Sequence, residues 1–374
     1  MKKKILLVSH SMSRTGAPKV VLNIANSLDK SIYEVMIYNV NSSLNQLNSE
    51  VDRNVLLKEY YPLVSKLKNS TFLPVKYFFK VVGKLFNISN HFEKTLLSFK
   101  PDLVIINTIF HLYLSEITAK KGIKTIRYFH ELESYLFSLS EQDKMRLLTS
   151  TDTIWACSKK VKNILESFYS KEKVEVVYPL IYLNENSQIE PAKKEHFTVI
   201  SAAGINFRKG FDLWVDVAIA TLKINKNIDF KWYGQANEKD PYFINTMNKI
   251  PLSLKTRISY CGETKNLHNK LVSSDLFFLS SREDPFPIVC MEAIGTGIPC
   301  VGYKSGGIIE LEEKGVAKSY ALGDSEGLIK AILDFANGST KISKEKCFKS
   351  YSSYSGDITF KKVETLIQNL IIEI

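Results

Sequence analysis

Short apolar runs alternate with segments of helical spacing along this chain, stop at a polar stretch, and then begin again. Ile5–Val8, Val35–Val40, Leu103–Ile106, Thr125–Phe129, Thr153–Ala156 and Val174–Tyr178 read as strands. Ile5–Val8 and Leu103–Ile106 are short and wholly apolar, the mark of a strand covered on both faces. Val20–Leu28 has helical spacing with Pro18 near its start, and Ser158 stands where an N-cap would begin a helix over Lys159–Tyr169. Leu183 to Glu195 is polar, holds Pro191, and reads as a linker. The alternation resumes with strands at Phe197–Ala202, Asp229–Tyr233, Ile258–Cys261, Leu276–Leu279 and Pro299–Gly302. Helices are predicted at Phe211–Ile224, Pro241–Lys249 and Ile288–Ile294. Twofold β-α alternation predicts an α/β chain of two doubly wound, Rossmann-like domains facing a central cleft. The expected bounds are 1–182 for the first domain and 183–355 for the second. The expected ligand site lies in the crevice at the carboxyl ends of the strands.

A final stripe of Ile358, Phe360, Val363, Leu366, Ile367, Leu370 and Ile371 has helical spacing, so a helix over about 356–374 must bury it. It can pack back on the first domain or dock on the second.

At 374 residues the chain is long enough for two domains. The opening Met1-Lys-Lys-Lys4 resembles a signal-peptide start, but the apolar run that follows is only Ile5–Val8. No stretch approaches the ~20 apolar residues of a membrane span. The five cysteines, Cys157, Cys261, Cys290, Cys300 and Cys347, show no Cys-x-x-Cys pair and read as reduced packing residues. These features predict a cytoplasmic protein.

Two segments of the second half carry the chemistry. In Gly204-Ile-Asn-Phe-Arg208-Lys209-Gly210-Phe-Asp212-Leu213, two adjacent cations stand at the opening of a predicted helix. Arg offers a planar fork and Lys a point charge, a combination suited to a diphosphate. A solvated surface pair is the alternative. In Ser281-Arg-Glu283-Asp284-Pro-Phe-Pro-Ile-Val-Cys-Met-Glu292-Ala293, Pro285 and Pro287 keep helix from starting before Ile288. Asp284 then lies on the incoming turn and Glu292 within the helix, where a buried carboxylate can accept two ribose hydroxyls. Glu283 competes with Asp284, and a surface ion pair is the alternative for Glu292.

The segments occur in an order that resembles the retaining glycosyltransferases of family 4, which have the GT-B fold. That family carries Glu-x7-Glu before Ala-x-x-x-Gly-x-Pro. Here Asp284-x7-Glu292 is followed by Ala293 to Gly297 and Pro299. Arg208 to Leu213 matches its basic Lys-Gly-x-Asp-Leu motif, and Gly306-Gly307-Ile-Ile-Glu310 its later Gly-Gly-x-x-Glu. The resemblance implies that Arg208 and Lys209 hold the donor diphosphate and the leaving charge. It implies that Glu292 binds the ribose and Asp284 stands near the transferred sugar. Gly262 and Thr264 would line the base pocket. Gly16 and Gly204 would let backbone approach the donor, and His130 would face sugar and acceptor. Phe286, Ile288 and Val289 would line the donor site through the turn and the helix start. Thr15-Gly16 stands where the family often has Gly-Gly, and Pro285-Phe286-Pro287 where it has Gly-Phe-Gly. Proline has no N–H, so contacts through that turn fall to Phe286 and Ile288. His10 is a rival for the His130 role.

The implied activity is transfer of a sugar from a nucleotide sugar, UDP-linked by family frequency, to a glycan or lipid-linked acceptor in cell-envelope polysaccharide synthesis. No cofactor is expected. No Asp-x-Asp occurs in the chain, so no catalytic metal is expected either. An epimerase or hydrolase on the same scaffold is the enzyme alternative. A dinucleotide oxidoreductase is disfavoured, because the first strand is followed by Ser9-His-Ser-Met-Ser-Arg-Thr-Gly16 without Gly-x-Gly-x-x-Gly.

Charge bears on the acceptor. Residues 1–180 hold 26 Lys and Arg against 16 Asp and Glu, and the remainder 24 against 23. No acid lies between Glu59 and Glu93, while Lys76, Lys80 and Lys84 recur every four residues among Tyr77, Phe78, Phe79 and Phe86. Residues 62–88 therefore read as a segment able to lie on an anionic membrane, which would put the protein peripherally on the inner face of the plasma membrane. A core helix with a solvated Lys face is the alternative. A basic nucleic-acid- or membrane-binding protein is the non-enzyme reading. No recognition motif accompanies the charge, so nucleic acid is not expected as a partner.

Overall fold

A computed structural model describes residues 1–61, 88–107, 109, 111–167, 173–183 and 195–372. The basic segment 62–88 therefore falls outside the described residues except for its last position, as do most of the linker and the end of the helix expected to reach Tyr169. The chain divides into two compact units, residues 1–180 with 359–374, and residues 181–358.

Among its described residues the first unit has seven strands: β1 Lys3–Ser9, β2 Tyr33–Asn39, β3 Val55–Glu59, β4 Leu103–Ile106, β5 Lys124–Phe129, β6 Thr153–Ala156 and β7 Val174–Val176. They pair in parallel in the order β3-β2-β1-β4-β5-β6-β7. The second unit has β8 Phe197–Ala202, β9 Ile228–Tyr233, β10 Ile258–Tyr260, β11 Leu276–Leu279, β12 Cys300–Tyr303 and β13 Ala317–Tyr320. These are also parallel, in the order β10-β9-β8-β11-β12-β13. In both sheets the strand order reverses beside the unit's first strand, at β1/β4 and at β8/β11. Chains leaving those two strands turn to opposite sides and open a crevice at their carboxyl ends.

The strands not foreseen, β3 and β13, are edges. Only Val55 of β3 is buried, and β13 alternates buried with half-buried residues. A half-solvated edge needs no continuous apolar run, which is the pattern that marked the central strands. The helix begun at Ser158, whose hydroxyl accepts from Val161 N at 3.2 Å, ends at Leu165, earlier than its apolar spacing suggested.

One device recurs in both units. Asp102, Asp152 and Asp275, each just before a strand, accept the backbone N–H of Lys4, Thr125 and Thr198 at 2.7–2.8 Å. A carboxylate thus takes up a donor that the neighbouring strand leaves unpaired at the sheet's amino edge.

The final helix, Gly356–Ile372, buries Val363, Ile367 and Ile371, and Lys362 pairs with Glu175 at 3.0 Å. Residues 359–374 are thereby part of the first unit. Among the described residues no cysteine is in a disulfide; Cys157, Cys290, Cys300 and Cys347 are buried, but Cys261 is exposed and so does not pack a core. Among the described residues no helix is long and apolar enough to cross a membrane.

Candidate active site

In the second unit, the chain leaving β8 turns at Ala203–Gly204 and runs into a short 3-10 turn, Phe207–Lys209. Asn206 caps that turn, its Oδ1 accepting from Lys209 N at 3.0 Å. Gly210 follows at φ +68°, and a Cβ there would lie 2.1 Å from the Ser280 carbonyl oxygen. Only glycine meets both demands. The helix Phe211–Ile224 begins at once, anchored by the fully buried Phe211 ring stacked on Trp214 and Phe243. Burying such a ring is worth about 1.5–3 kcal/mol, so the turn that carries Arg208 and Lys209 ends on a fixed post.

The chain leaving β11 is laid against this turn. Arg282 N donates to Arg208 O at 2.8 Å, and Ser280 Oγ to Lys209 O at 3.0 Å. Arg208 Nη1 donates to Glu283 O at 2.7 Å. Lys209 Nζ meets Asp284 Oδ2 at 2.6 Å, and Ser281 Oγ stands 3.4 Å from the same oxygen. Asp284 is 5% exposed, and that lysine is its buried ion-pair partner. Its backbone is stitched to a third segment: Asp284 N donates to Ser305 O at 2.8 Å, and Gly307 N to Asp284 O at 3.1 Å. A Cβ on Gly307 would come within 2.8 Å of Phe286 Cα and Pro285 O. The basic turn, the acidic loop and the Gly-Gly segment are thus one cluster at the β8/β11 reversal.

Arg282 and Asp212 brace this cluster and were not singled out by sequence. Arg282 pairs with Asp212 through two bonds, at 2.9 and 2.6 Å, donates to Phe207 O at 2.6 Å, and stacks 3.8 Å from the Phe207 ring centroid. Tyr242 adds a bond to Asp212 at 2.7 Å. Burial works against the Asp212 charge, but the bonds from Arg282 and Tyr242 outweigh it and hold the carboxyl below its usual range.

The other expected donor residues lie around this cluster. Gly204 lies on the loop held by Ala203 N to Tyr233 O and Ile205 N to Gln235 O, at 2.9 and 2.8 Å. Gly262, at φ +71°, follows β10, and its carbonyl accepts from Gly234 N at 2.9 Å. Thr264 accepts from Asn266 N at 3.1 Å. The Phe286 side chain is buried against Tyr354, which leaves only its backbone for a ligand. Ile288 and Val289 open the helix Ile288–Gly295, whose first N–H groups have no partner within the helix. Glu292, on that helix, is half-buried; the buried carboxylate of the pair is Asp284.

Gly16 and His130 belong to the first unit, and Asn107 joins them. Gly16 opens the helix Gly16–Ser27, and the next carbonyl, Ala17 O, accepts from Asn107 Nδ2 at 2.8 Å. That bond fixes the amide, so Asn107 Oδ1 faces His130 Nε2 at 2.8 Å and must accept its proton. Burial, and then neighbouring His10, push the His130 pKa down to about 3. The imidazole is therefore neutral at physiological pH, with Nε2 protonated and Nδ1 bare. His10 is likewise pushed down by burial, and among the described residues its Nδ1 is buried without a partner.

Two family signatures match, one in each half: Glycosyltransferase Family 4 over residues 14–185 and Glycosyl transferases group 1 over residues 196–337. This chain belongs to the family 4 glycosyltransferases. An uncharacterized glycosyltransferase of Haemophilus influenzae is 23% identical over 84% of each chain. The lipopolysaccharide core biosynthesis mannosyltransferase LpsB of Rhizobium meliloti is 28% identical over 40% of this chain and 42% of its own. Among solved structures, Anabaena HepE in complex with UDP and glucose superposes with a TM-score of 0.78 at 16% identity, covering 98% of this glycosyltransferase and 100% of HepE. The fold of the glycosyltransferase is GT-B, two Rossmann-like domains on parallel sheets.

Proposed function

We propose that this glycosyltransferase moves a sugar from a UDP-sugar to a glycan or lipid-linked acceptor, with retention at the anomeric carbon, in cell-envelope polysaccharide synthesis. The observation that carries the donor side is the interlock of the Arg208-Lys209 turn with the Asp284 loop. Two cations on a pinned turn, beside a helix start, suit a diphosphate whose charge grows as it leaves. Arg208 and Lys209 take that charge, Glu292 takes the ribose hydroxyls, and Asp284 takes a hydroxyl of the sugar. Gly204, Gly262 and Thr264 line the nucleotide, and the backbone of Phe286, Ile288 and Val289 completes the donor site. On binding, the diphosphate competes with Asp284 for Lys209, which frees the carboxylate for the sugar.

On the acceptor side, Gly16 lets the loop approach the donor phosphate. His130 acts as a neutral hydrogen-bonding group toward the sugar, since an imidazole with so low a pKa is a weak base at neutral pH. Retention follows if attack and departure share one face of the sugar. The new C–O bond forms as the bond to phosphate breaks, and the acceptor's proton passes to the leaving phosphate oxygen. The protein then contributes position and charge rather than a covalent partner. The reaction is proposed to need no metal. Arg208 and Lys209 would do the work that a divalent metal does elsewhere. UDP and the polysaccharide setting are supported by what HepE holds and by the role carried in LpsB's name. Peripheral attachment at the inner face of the plasma membrane rests on the Lys76, Lys80, Lys84 spacing within 62–88.

A thermal-shift panel of UDP, GDP, ADP, CMP and NAD, with and without EDTA, tests the reading on wild type and Glu292→Ala. Stabilisation by UDP, unaffected by EDTA and lost in the variant, is expected. A response to NAD alone, or to no nucleotide, would remove the donor assignment.

A further inference from the structure

The first sheet ends in a polar layer. Ser9, Asn39 and Glu59, the last residues of β1, β2 and β3, are register partners, and Asn107 continues β4 one step past the Val8–Ile106 pair. Register partners in a parallel sheet share a face. Four adjacent strands thus finish on one level with hydrogen-bonding side chains, and Ser9, Asn39 and Asn107 are essentially fully buried.

Glu59 is the centre of the outer half of this layer. Its Oε1 accepts from Asn39 Nδ2 and Asn48 Nδ2, both at 3.0 Å, and its Oε2 from Tyr61 OH at 2.7 Å. A carboxylate has about four acceptor positions, so one remains after these three. Burial works to raise the Glu59 pKa, and the three bonds outweigh it and lower it, so the charge persists. Beside it, Tyr61 is 68% exposed. Among the described residues, one buried polar atom without a partner, Asn48 Oδ1, lies on this same network. A polar atom buried without a partner is costly, and beside a partly filled carboxylate it marks a place that a ligand or ordered water completes.

We propose that this edge, centred on Glu59 and Tyr61, seats a neutral sugar ring of the acceptor. The proposal rests on the glycosyltransferase reading and gives its acceptor a place in the first unit. A pyranose offers hydroxyls, which donate to a carboxylate, and an axial C–H face, which packs on an exposed aromatic ring. The Glu59 charge turns away phosphate and other anions, so the headgroup read here is a glycosyl residue and not a phosphate. Glu59 sets the hydroxyl pattern accepted, and Tyr61 holds the ring plane.

The test uses the full chain and saturation-transfer NMR with the methyl glycosides of glucose, galactose, mannose and N-acetylglucosamine, with inorganic phosphate as the anionic competitor. At least one glycoside is expected to receive saturation at its ring protons. Its affinity should fall about tenfold in Glu59→Ala, the loss of one charge-assisted hydrogen bond. Tyr61→Ala, at an exposed position that folding does not require, should remove the ring contact. No glycoside contact in wild type, contact that survives both variants, or displacement of the glycoside by phosphate would each overturn the proposal. Nucleoside diphosphate thermal shifts on the same variants keep the two readings apart. A retained shift with lost glycoside contact supports this site, and a shift absent from wild type counts against the donor reading alone.

Discussion

The two units share a strand order and a place for ligands, yet their carboxyl edges are chemically opposite. At the β8/β11 reversal stand Arg208, Lys209 and the buried carboxylate of Asp284, crossed by charged bonds of 2.6–2.7 Å. At the β1/β4 reversal stand Asn107 and two imidazoles whose pKa values are pushed down, and the charge of that polar layer, Glu59, lies two strands away from β1 at the outer edge. The sheet dictates where a site can be, through its reversal of strand order. The loops dictate what the site can do. A diphosphate needs fixed cations; a hydroxyl needs neutral donors and acceptors.

The largest expected effect comes from breaking the charged edge. Lys209→Met should lower donor turnover, including sugar release to water, by about 10²–10³-fold, as when one preorganised charge donor is lost. It should also destabilise the fold by about 3 kcal/mol, because Asp284 is left buried without its ion. Adding Asp284→Asn should restore most of that stability and none of the turnover. Denaturant melts and a UDP-sugar hydrolysis assay read the two quantities separately. Wild-type turnover in Lys209→Met would refute the assignment.

The neutral edge has a different signature, in pH. The folded His130 pKa of about 3 lies below the ordinary 6.5. Between those values the unfolded chain binds a proton that the folded chain does not. Stability therefore falls as pH drops from about 6.5 toward about 3, with a slope near 1.4 kcal/mol per pH unit from this group. His130→Gln should flatten that part of the acid-side stability curve, measured by urea midpoints at several pH values. An unchanged slope would mean that His130 is protonated in the native state.

How much of this was legible follows from which interactions are local. The Arg208-Lys209 turn could be read because Gly210 and the apolar run from Phe211 mark its end within the sequence. The central strands could be read from runs such as Leu103–Ile106, which are buried throughout. Arg282 could not, because its partners Asp212 and Phe207 lie seventy or more residues away, and nothing local distinguishes it from a surface arginine. Asn107 was hidden in the same way, since its value lies in joining Ala17 to His130 across β4. Edge strands β3 and β13 were hidden because solvent covers part of each.

The smallest expected effect gives the sharpest comparison. Ser158 and Asn206 perform the same local task, each accepting the N–H three residues on at the start of a turn, at 3.2 and 3.0 Å. Replacing either with alanine should cost about 1 kcal/mol, the usual value of such a cap. The Ser158 cap opens the helix Lys159–Leu165, whereas the Asn206 cap holds Lys209 itself. Ser158→Ala should therefore lower the melting temperature and leave nucleoside diphosphate affinity unchanged. Asn206→Ala should lower the melting temperature by a similar amount and weaken that affinity several-fold, by about 1 kcal/mol of lost preorganisation. Equal loss of affinity in both variants would mean that the effect travels through global stability, and the Phe207–Lys209 turn would lose its claim to be a preorganised diphosphate seat.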